Sequence, residues 1–518
     1  MNDVNAQLKL TKIRLFLTCW IIFTLHFATN IVREFYPALC LVDNGTLRVD
    51  EYEGLHPDIM PLPGKGAFIN SNPGASLIAA FPYYVFKPFV DFTLSRVSKN
   101  FNNSPGEVSA EYHDHRPNRL IFYKQVRERG LDIKFGLVAF VMVAFCMSPL
   151  SALSSVVMFN LLNSQLNKPR WVLGLSFLYA FGTPIFFRTG YINQNLMIAH
   201  FCFFAFALLW KPGQNYLDTS LYRLCLSGFL CGLAILCDYS GIIIWLLFYG
   251  YVLFDLYKRD GIFLNSLKKS IGFIIGSIAP VGFLLWYQWY YFGNPLFPAQ
   301  SYMPPTPYTQ YGYKGISLPS ISTIWGNLFD LRYGLFVFCP LLMMSFFSLF
   351  IKIQRLVYRR EIIFIMSFFI AFLLFCSANQ YSFMQFNTGV RYMVPLVPFL
   401  FLLTVEVFIR IPRKIGLLIA IITLSQSWCI SMVRDFERPQ GILESIKLLF
   451  LQGFQLPWLT VISKTATQYT ATLSKGASPI LLFLITAGIL YCIWIYPSRD
   501  QIVWKKKYPL LNNTGNDR

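Results

Sequence analysis

FGLVAFVMVAFCMSPLSALSSVVMFN (residues 135–160) runs for 26 residues without a charged side chain. At about 1.5 Å per residue such a helix is long enough to cross a hydrocarbon core about 30 Å thick. A helix on a soluble core keeps one polar face, and this stretch has none. Working outward in both directions, similar runs appear at 14–32, 171–187, 193–210, 223–237, 240–256, 270–290, 334–351, 361–377, 392–409, 414–430 and 478–496. With 135–160 they predict an all-α polytopic membrane protein of about 12 transmembrane helices. Composition agrees: of 518 residues, 55% are hydrophobic and 13% charged, against roughly 25% charged in soluble proteins.

The formal net charge of +19 raises nucleic acid as a partner, so the distribution of the positive residues matters. They form short clusters between the apolar runs, among them Lys9, Lys12 and Arg14, then Lys258, Arg259, Lys268 and Lys269, then Arg359 and Arg360, then Arg410, Arg413 and Lys414, and Lys505 to Lys507. That is the pattern of cytoplasmic loops, and it predicts no nucleic-acid partner. An even number of spans puts both termini in the cytoplasm together with every one of these clusters. Residues 75–92 are also apolar, but a further span there would send the later clusters outside. They are therefore read as an interfacial helix interrupted by Pro82 and Pro88. Cysteines lie mainly inside the apolar runs with no metal-ligand spacing, so no metal site is expected. A divalent cation as cofactor is left open.

On this topology the chain, 1–518, is a single membrane domain. Its outside face carries a first extracytoplasmic loop over 33–134 with surface helices, further loops at 291–333 and 431–477, and the cytoplasmic tail is 497–518. The first loop is rich in carboxylates, from Glu34 through Asp50, Glu51, Glu53 and Asp58, and includes Lys65 and the turn Asn70-Ser71-Asn72-Pro73-Gly74.

Several segments then fall into a familiar order. Arg33-Glu34-Phe35-Tyr36-Pro37-Ala38-Leu39, with Asn44-Gly45 and Arg48-Val49-Asp50 after it, resembles the opening of protein-mannosyltransferase-like bacterial enzymes of the GT-C superfamily. Asn70-Ser71-Asn72-Pro73-Gly74-Ala75-Ser76-Leu77 is similar to their Pro-Gly loop. Gly182-Thr183-Pro184, Phe292-Gly293-Asn294-Pro295 and Gly389-Val390-Arg391-Tyr392 echo later segments. The chain departs from the pattern where Arg33 replaces one member of the usual acidic pair and Asn72 replaces a lysine.

The resemblance implies a membrane glycosyltransferase of the cell envelope. It would move a sugar from a polyprenyl-phosphate donor to a hydroxyl of a glycan, lipid or protein acceptor at the extracytoplasmic face, in the bacterial inner membrane. A hydroxyl attacking an anomeric carbon needs a base, and a first-loop carboxylate, Glu34 or Asp50, would supply it. Single displacement inverts the anomeric centre. The departing phosphate would be stabilised by Arg391, with Arg332, Arg188 and Lys65 as further candidates. Asp238, Tyr239, Asn193 and His200 would line the cavity. Three alternatives stay open: a transporter or lipid flippase, which would show repeat symmetry and midplane charges; a polysaccharide polymerase or ligase, whose large loop usually comes late in the chain; and a non-catalytic assembly or anchoring subunit.

Overall fold

The computed structural model describes residues 2–102, 117–166, 168–305, 310, 312, 313, 315–352, 356–382, 389–433, 441–465 and 478–495. The expected tail at 497–518 and parts of the 33–134, 291–333 and 431–477 loops lie outside the described residues. The chain is mostly helical, about 75%. In order the elements are α1 (Asn2–Leu25), α2 (Phe35–Asn44), β1 (Ile59–Leu62), β2 (Gly66–Ile69), α3 (Gly74–Asn102), α4 (Pro117–Glu128), α5 (Asp132–Leu166), α6 (Pro169–Phe181), α7 (Ile185–Arg188), α8 (Gln194–Leu209), α9 (Leu221–Cys237), α10 (Gly241–Asp260) and α11 (Phe263–Phe292). They continue as α12 (Ile321–Phe329), α13 (Leu335–Phe338), α14 (Arg359–Ala378), α15 (Val397–Phe408), α16 (Arg413–Val433), α17 (Gly441–Gln452), α18 (Pro457–Thr465) and α19 (Ile480–Ile495).

Five helices, α5, α10, α11, α14 and α16, are long and apolar enough to cross a membrane. Their outer faces are what a bilayer solvates: Ile271, Ile275 and Ile278 of α11 and Leu417, Leu418 and Ile421 of α16 are all exposed. Large side chains fill the interior instead, with Phe203 and Phe206 of α8 against Phe399 of α15, and Phe206 stacked on Phe364 of α14.

Four expected helices differ in form, three of them at a proline. The run at 334–351 is a single turn, α13, which stops where Pro340 has no N–H to continue its ladder, followed by a 3-10 stretch over Pro340–Phe350. The run at 171–187 breaks at Gly182-Thr183-Pro184 between α6 and α7. The run at 392–409 starts with a 3-10 turn, Val394–Leu396, around Pro395, before α15. The first run begins earlier than expected and ends sooner, as α1. Conversely α3 continues through Pro82 and Pro88, which do not interrupt it. The first loop also holds one feature the helical pattern hid, an antiparallel hairpin pairing Ile59 with Ile69 and Leu62 with Gly66.

Small residues set the tightest helix pair. Gly228 of α9 faces the Phe273 carbonyl of α11, and Gly276 of α11 faces the Cys225 carbonyl of α9. A methyl group at either glycine would overlap the opposite backbone. Without water to drive helices together, close backbone approach of this kind is how helices in lipid adhere.

Candidate functional site

The site begins where α1 ends. Residues after Leu25 leave the helix, and the Ala28 N–H donates to the Gly190 carbonyl at 2.6 Å, which ties the start of the first loop to the segment ahead of α8. Arg33 and Glu34 follow at once, before α2. Farther on, β1 and β2 reverse the chain through Gly64 and Gly66, both with positive φ. This reversal sets the residue entering the hairpin beside the one leaving it, and the Asn70 N–H donates to the Asp58 carbonyl at 3.2 Å.

Arg33 bridges the two ends of that construction. Its Nε donates to Glu34 Oε1 at 2.9 Å, and its Nη1 donates to Asn70 Oδ1 at 3.0 Å and to Asp58 Oδ2 at 3.4 Å. Glu34 is 3% exposed, whereas the Asp58 side chain is 28% exposed. Burial alone would raise the Asp58 carboxyl, but Arg33, His56 and Arg391 outweigh it and hold the group below the usual carboxylate range. Burial opposes the charge on Arg33 as well, and Glu34 and Asp58 reverse that, so the guanidinium is more firmly protonated than usual. His56 is lowered, first by burial, with Arg33 and Arg391 adding to it and Asp58 and Glu34 opposing. Its Nδ1 accepts the Asp58 N–H at 3.0 Å, which fixes the neutral ring with its proton on Nε2.

The end of α9 closes the other side. Asn72 Nδ2 donates to the Ile235 carbonyl at 3.0 Å, and Gly74 lies so near Leu236 and Cys237 that an added Cβ would be 2.6 Å from the Leu236 carbonyl. The Pro-Gly loop thus seats α3 on the last turn of α9. Asp238 follows that turn in extended conformation. It accepts the Ser240 N–H at 2.9 Å, and Gln194 Nε2, from the first residue of α8, at 2.8 Å. Ser76, in the first turn of α3, donates its Oγ–H to the Glu34 carbonyl at 2.7 Å, so the seating of α3 brings Glu34 to the end of α9 where Asp238 and Gln194 meet, and the charge of Arg391 reaches Asp58 across the Arg33 cluster.

Of the residues singled out in the sequence, Glu34, Arg391 and Asp238 therefore come together, and Asn193 caps α8 beside them, its Oδ1 accepting the Leu196 N–H at 3.2 Å. Tyr239 is bound to Gln288 of α11. The others have different surroundings. Asp50 pairs with Arg48 at 2.7 Å and accepts the Ala67 N–H, which pins the hairpin. Arg332 is engaged by Asp330 through two hydrogen bonds, 3.0 and 2.8 Å. Arg188 is buried and packs over the Tyr191 ring. Lys65 is exposed at the hairpin turn, beside Gly293. His200 is buried with Nε2 on Ser151 at 2.9 Å, and Ser151 in turn meets Thr189 at 2.7 Å.

Three groups of this neighbourhood were not singled out in advance: Arg33, Asp58 and Gln194. Arg33 was visible only as a departure from an acidic pair. Asp58 was one of a row of loop carboxylates, separable from Asp50 only by the hairpin register. Gln194 carried a readable signal, since Asn193-Gln194-Asn195 is a block of amides opening an otherwise apolar run.

No family model, curated protein or solved structure matches this chain. What the arrangement can do rests on its own chemistry. It offers two carboxylates sharing one guanidinium, a second guanidinium acting on the more open carboxylate, and a third carboxylate at a helix end. Elsewhere, a cavity of about 380 Å³ lies between α1, α5, α18 and α19, lined by Trp20, Thr24, Phe27, Phe140, Phe145 and Trp458.

Proposed function

We propose that this chain is a membrane glycosyltransferase of about 12 spans, with both termini cytoplasmic and a first extracytoplasmic loop. It transfers a sugar from a polyprenyl-phosphate donor to an acceptor hydroxyl outside the bacterial inner membrane. The observation that carries the reading is the sharing of Arg33 by Glu34 and Asp58, with the charge of Arg391 acting on Asp58. A carboxylate that stays ionised is a proton acceptor. A guanidinium facing it is suited to a phosphate that gains charge as it leaves.

In the proposed step the acceptor O–H gives its proton to a first-loop carboxylate and its oxygen forms the new bond to the anomeric carbon. The bond from that carbon to the phosphate oxygen breaks, and its electron pair leaves with polyprenyl phosphate. Attack opposite the leaving group inverts the anomeric centre. Asp58, more open than Glu34, joins it as the base, while Asp50, which faces Arg48 and the hairpin backbone rather than the Arg33 cluster, is replaced in that role. Arg391 receives the phosphate. The apolar cavity beside α1, lined by Trp20, Phe27, Phe140, Phe145 and Trp458, has the character an isoprenoid tail entering sideways from lipid needs.

The test is transfer of radiolabelled sugar from a panel of polyprenyl-phosphate sugars by the purified full-length protein, alongside Glu34→Gln, Asp58→Asn and Arg391→Ala. Loss of a catalytic base lowers turnover by about 10²–10⁴-fold. The expected result is a loss of that size in one carboxamide variant, with its fold retained. No transfer from any donor, together with movement of a lipid or solute across liposomes, would replace the reading with a transporter.

A further inference from the structure

The start of α8 holds polar atoms that the fold does not satisfy. Asn193, Gln194 and Asn195 are 3%, 1% and 2% exposed. Asn193 Nδ2, Gln194 Oε1 and Asn195 Nδ2 are each buried with no hydrogen-bond partner among the described residues. One such atom is common in a folded protein. Three on consecutive residues at a helix N-terminus, next to Asp238, call for a partner that the described residues do not supply.

The identity of that partner follows from what the atoms need. Two amide N–H₂ groups need acceptors, and an amide oxygen needs a donor. Asp238, whose Oδ2 already accepts from Gln194, adds negative charge at the same place. A phosphate supplies acceptors alone, leaves Gln194 Oε1 unserved and is repelled by Asp238. A metal cation would use the oxygens and leave both amide N–H₂ groups without acceptors. A hydroxyl both donates and accepts, so adjacent ring hydroxyls meet all three requirements.

We propose that Asn193, Gln194 and Asn195 form the subsite that reads the hydroxyl groups of a neutral sugar ring, with Asp238 orienting Gln194. The assignment rests on the glycosyltransferase reading and deepens it: the phosphate of the donor faces Arg391 and the sugar faces the first turn of α8. Such a subsite discriminates by hydroxyl pattern, because a sugar lacking the matching hydroxyl leaves the amides unpaired.

The test measures binding of bare polyprenyl phosphate and of its glucosyl, mannosyl, galactosyl and arabinosyl forms to the full-length protein in nanodiscs. Asn193→Ser, which keeps a cap oxygen and removes the amide donor without adding charge, and Asn195→Leu, which removes the amide at the same heavy-atom number and branching, are compared with wild type. In wild type at least one sugar should tighten binding by about tenfold or more over the bare phosphate. Both variants should lose that increment while binding bare polyprenyl phosphate as before. A donor with a photoreactive group on its sugar should label the peptide around 189–200 in wild type, which needs no variant to fold. No sugar increment in wild type, an unchanged increment in correctly folded variants, or labelling confined to other segments would overturn the assignment. Transfer is scored separately. Sugar-dependent binding and labelling without transfer remove the glycosyltransferase reading alone, and transfer with an unchanged increment in the variants removes the subsite alone.

Discussion

Gly74→Ala adds a single methyl group where the Pro-Gly loop meets α9, and its effect can be worked from the geometry. The new Cβ would be 2.6 Å from both the carbonyl carbon and the oxygen of Leu236 and 2.7 Å from Cys237 N. Ordinary contact begins at 3.4 Å, so the backbones must separate by about 0.8 Å, and no flexible side chain is there to yield. Overpacking of this kind costs about 1–3 kcal/mol. The larger consequence is positional. Asp238 follows the displaced turn, and Glu34, whose carbonyl accepts the Ser76 Oγ–H at 2.7 Å, is held by the displaced helix. Misplacement near 1 Å at a reacting centre lowers rates by about 10²-fold. The assay is turnover of the donor found active, with thermal unfolding in the same detergent. Gly136→Ala serves as control, since it is a helical glycine with open space around its Cβ position and is expected to be neutral or slightly stabilising. If Gly74→Ala turns over donor as fast as wild type and melts with it, the close seating of α3 on α9 does not govern the site and the reasoning fails.

Arg33→Met leaves Glu34, Asp58 and Asn70 facing one another without their shared cation, and breaking a buried pair from one side costs about 3–5 kcal/mol. Denaturant unfolding should register it, with part of the loss recovered in Arg33→Met combined with Glu34→Gln. For His56 the folded ring resists protonation while the unfolded chain takes up a proton as pH falls below about 6.5. Stability should therefore decline on acidification through that point, and His56→Gln should flatten the slope in melting temperature against pH. Asp50→Asn weakens an exposed pair with Arg48, so turnover should stay within about threefold of wild type and stability within about 1 kcal/mol. A loss on the scale of a missing base would return Asp50 to the mechanism.

The sequence spoke most clearly where hydropathy and length agreed. The run at 193–210 is α8, Gln194–Leu209, and the run at 135–160 lies within α5. Average hydropathy could not tell α-helix from 3-10 geometry at Pro340–Phe350, because the two differ in hydrogen-bond register rather than in polarity. The hairpin was hidden for a related reason: strands of four residues carry too little alternation to read. Glu34, Arg391 and Asp238 were legible as polar groups at the ends of apolar runs. The relation of Arg33 to Asp58, 25 positions apart, depends on the hairpin bringing Asn70 back to Asp58, and no local pattern encodes that.

The interlocked glycines of α9 and α11 bear on how such a chain can change over time. Lipid accepts almost any apolar side chain, so the outward positions of α11 can drift among isoleucine, leucine and tryptophan with little consequence. Gly228 and Gly276 have no such freedom, because each alternative residue meets a carbonyl of the neighbouring helix. Since Asp238 directly follows the last turn of α9, a shift of that helix forced by substitution at these two remote positions would be carried to the polar site. A library of random variants selected for activity should therefore be depleted at Gly228 and Gly276 while neighbouring positions on the lipid side stay diverse.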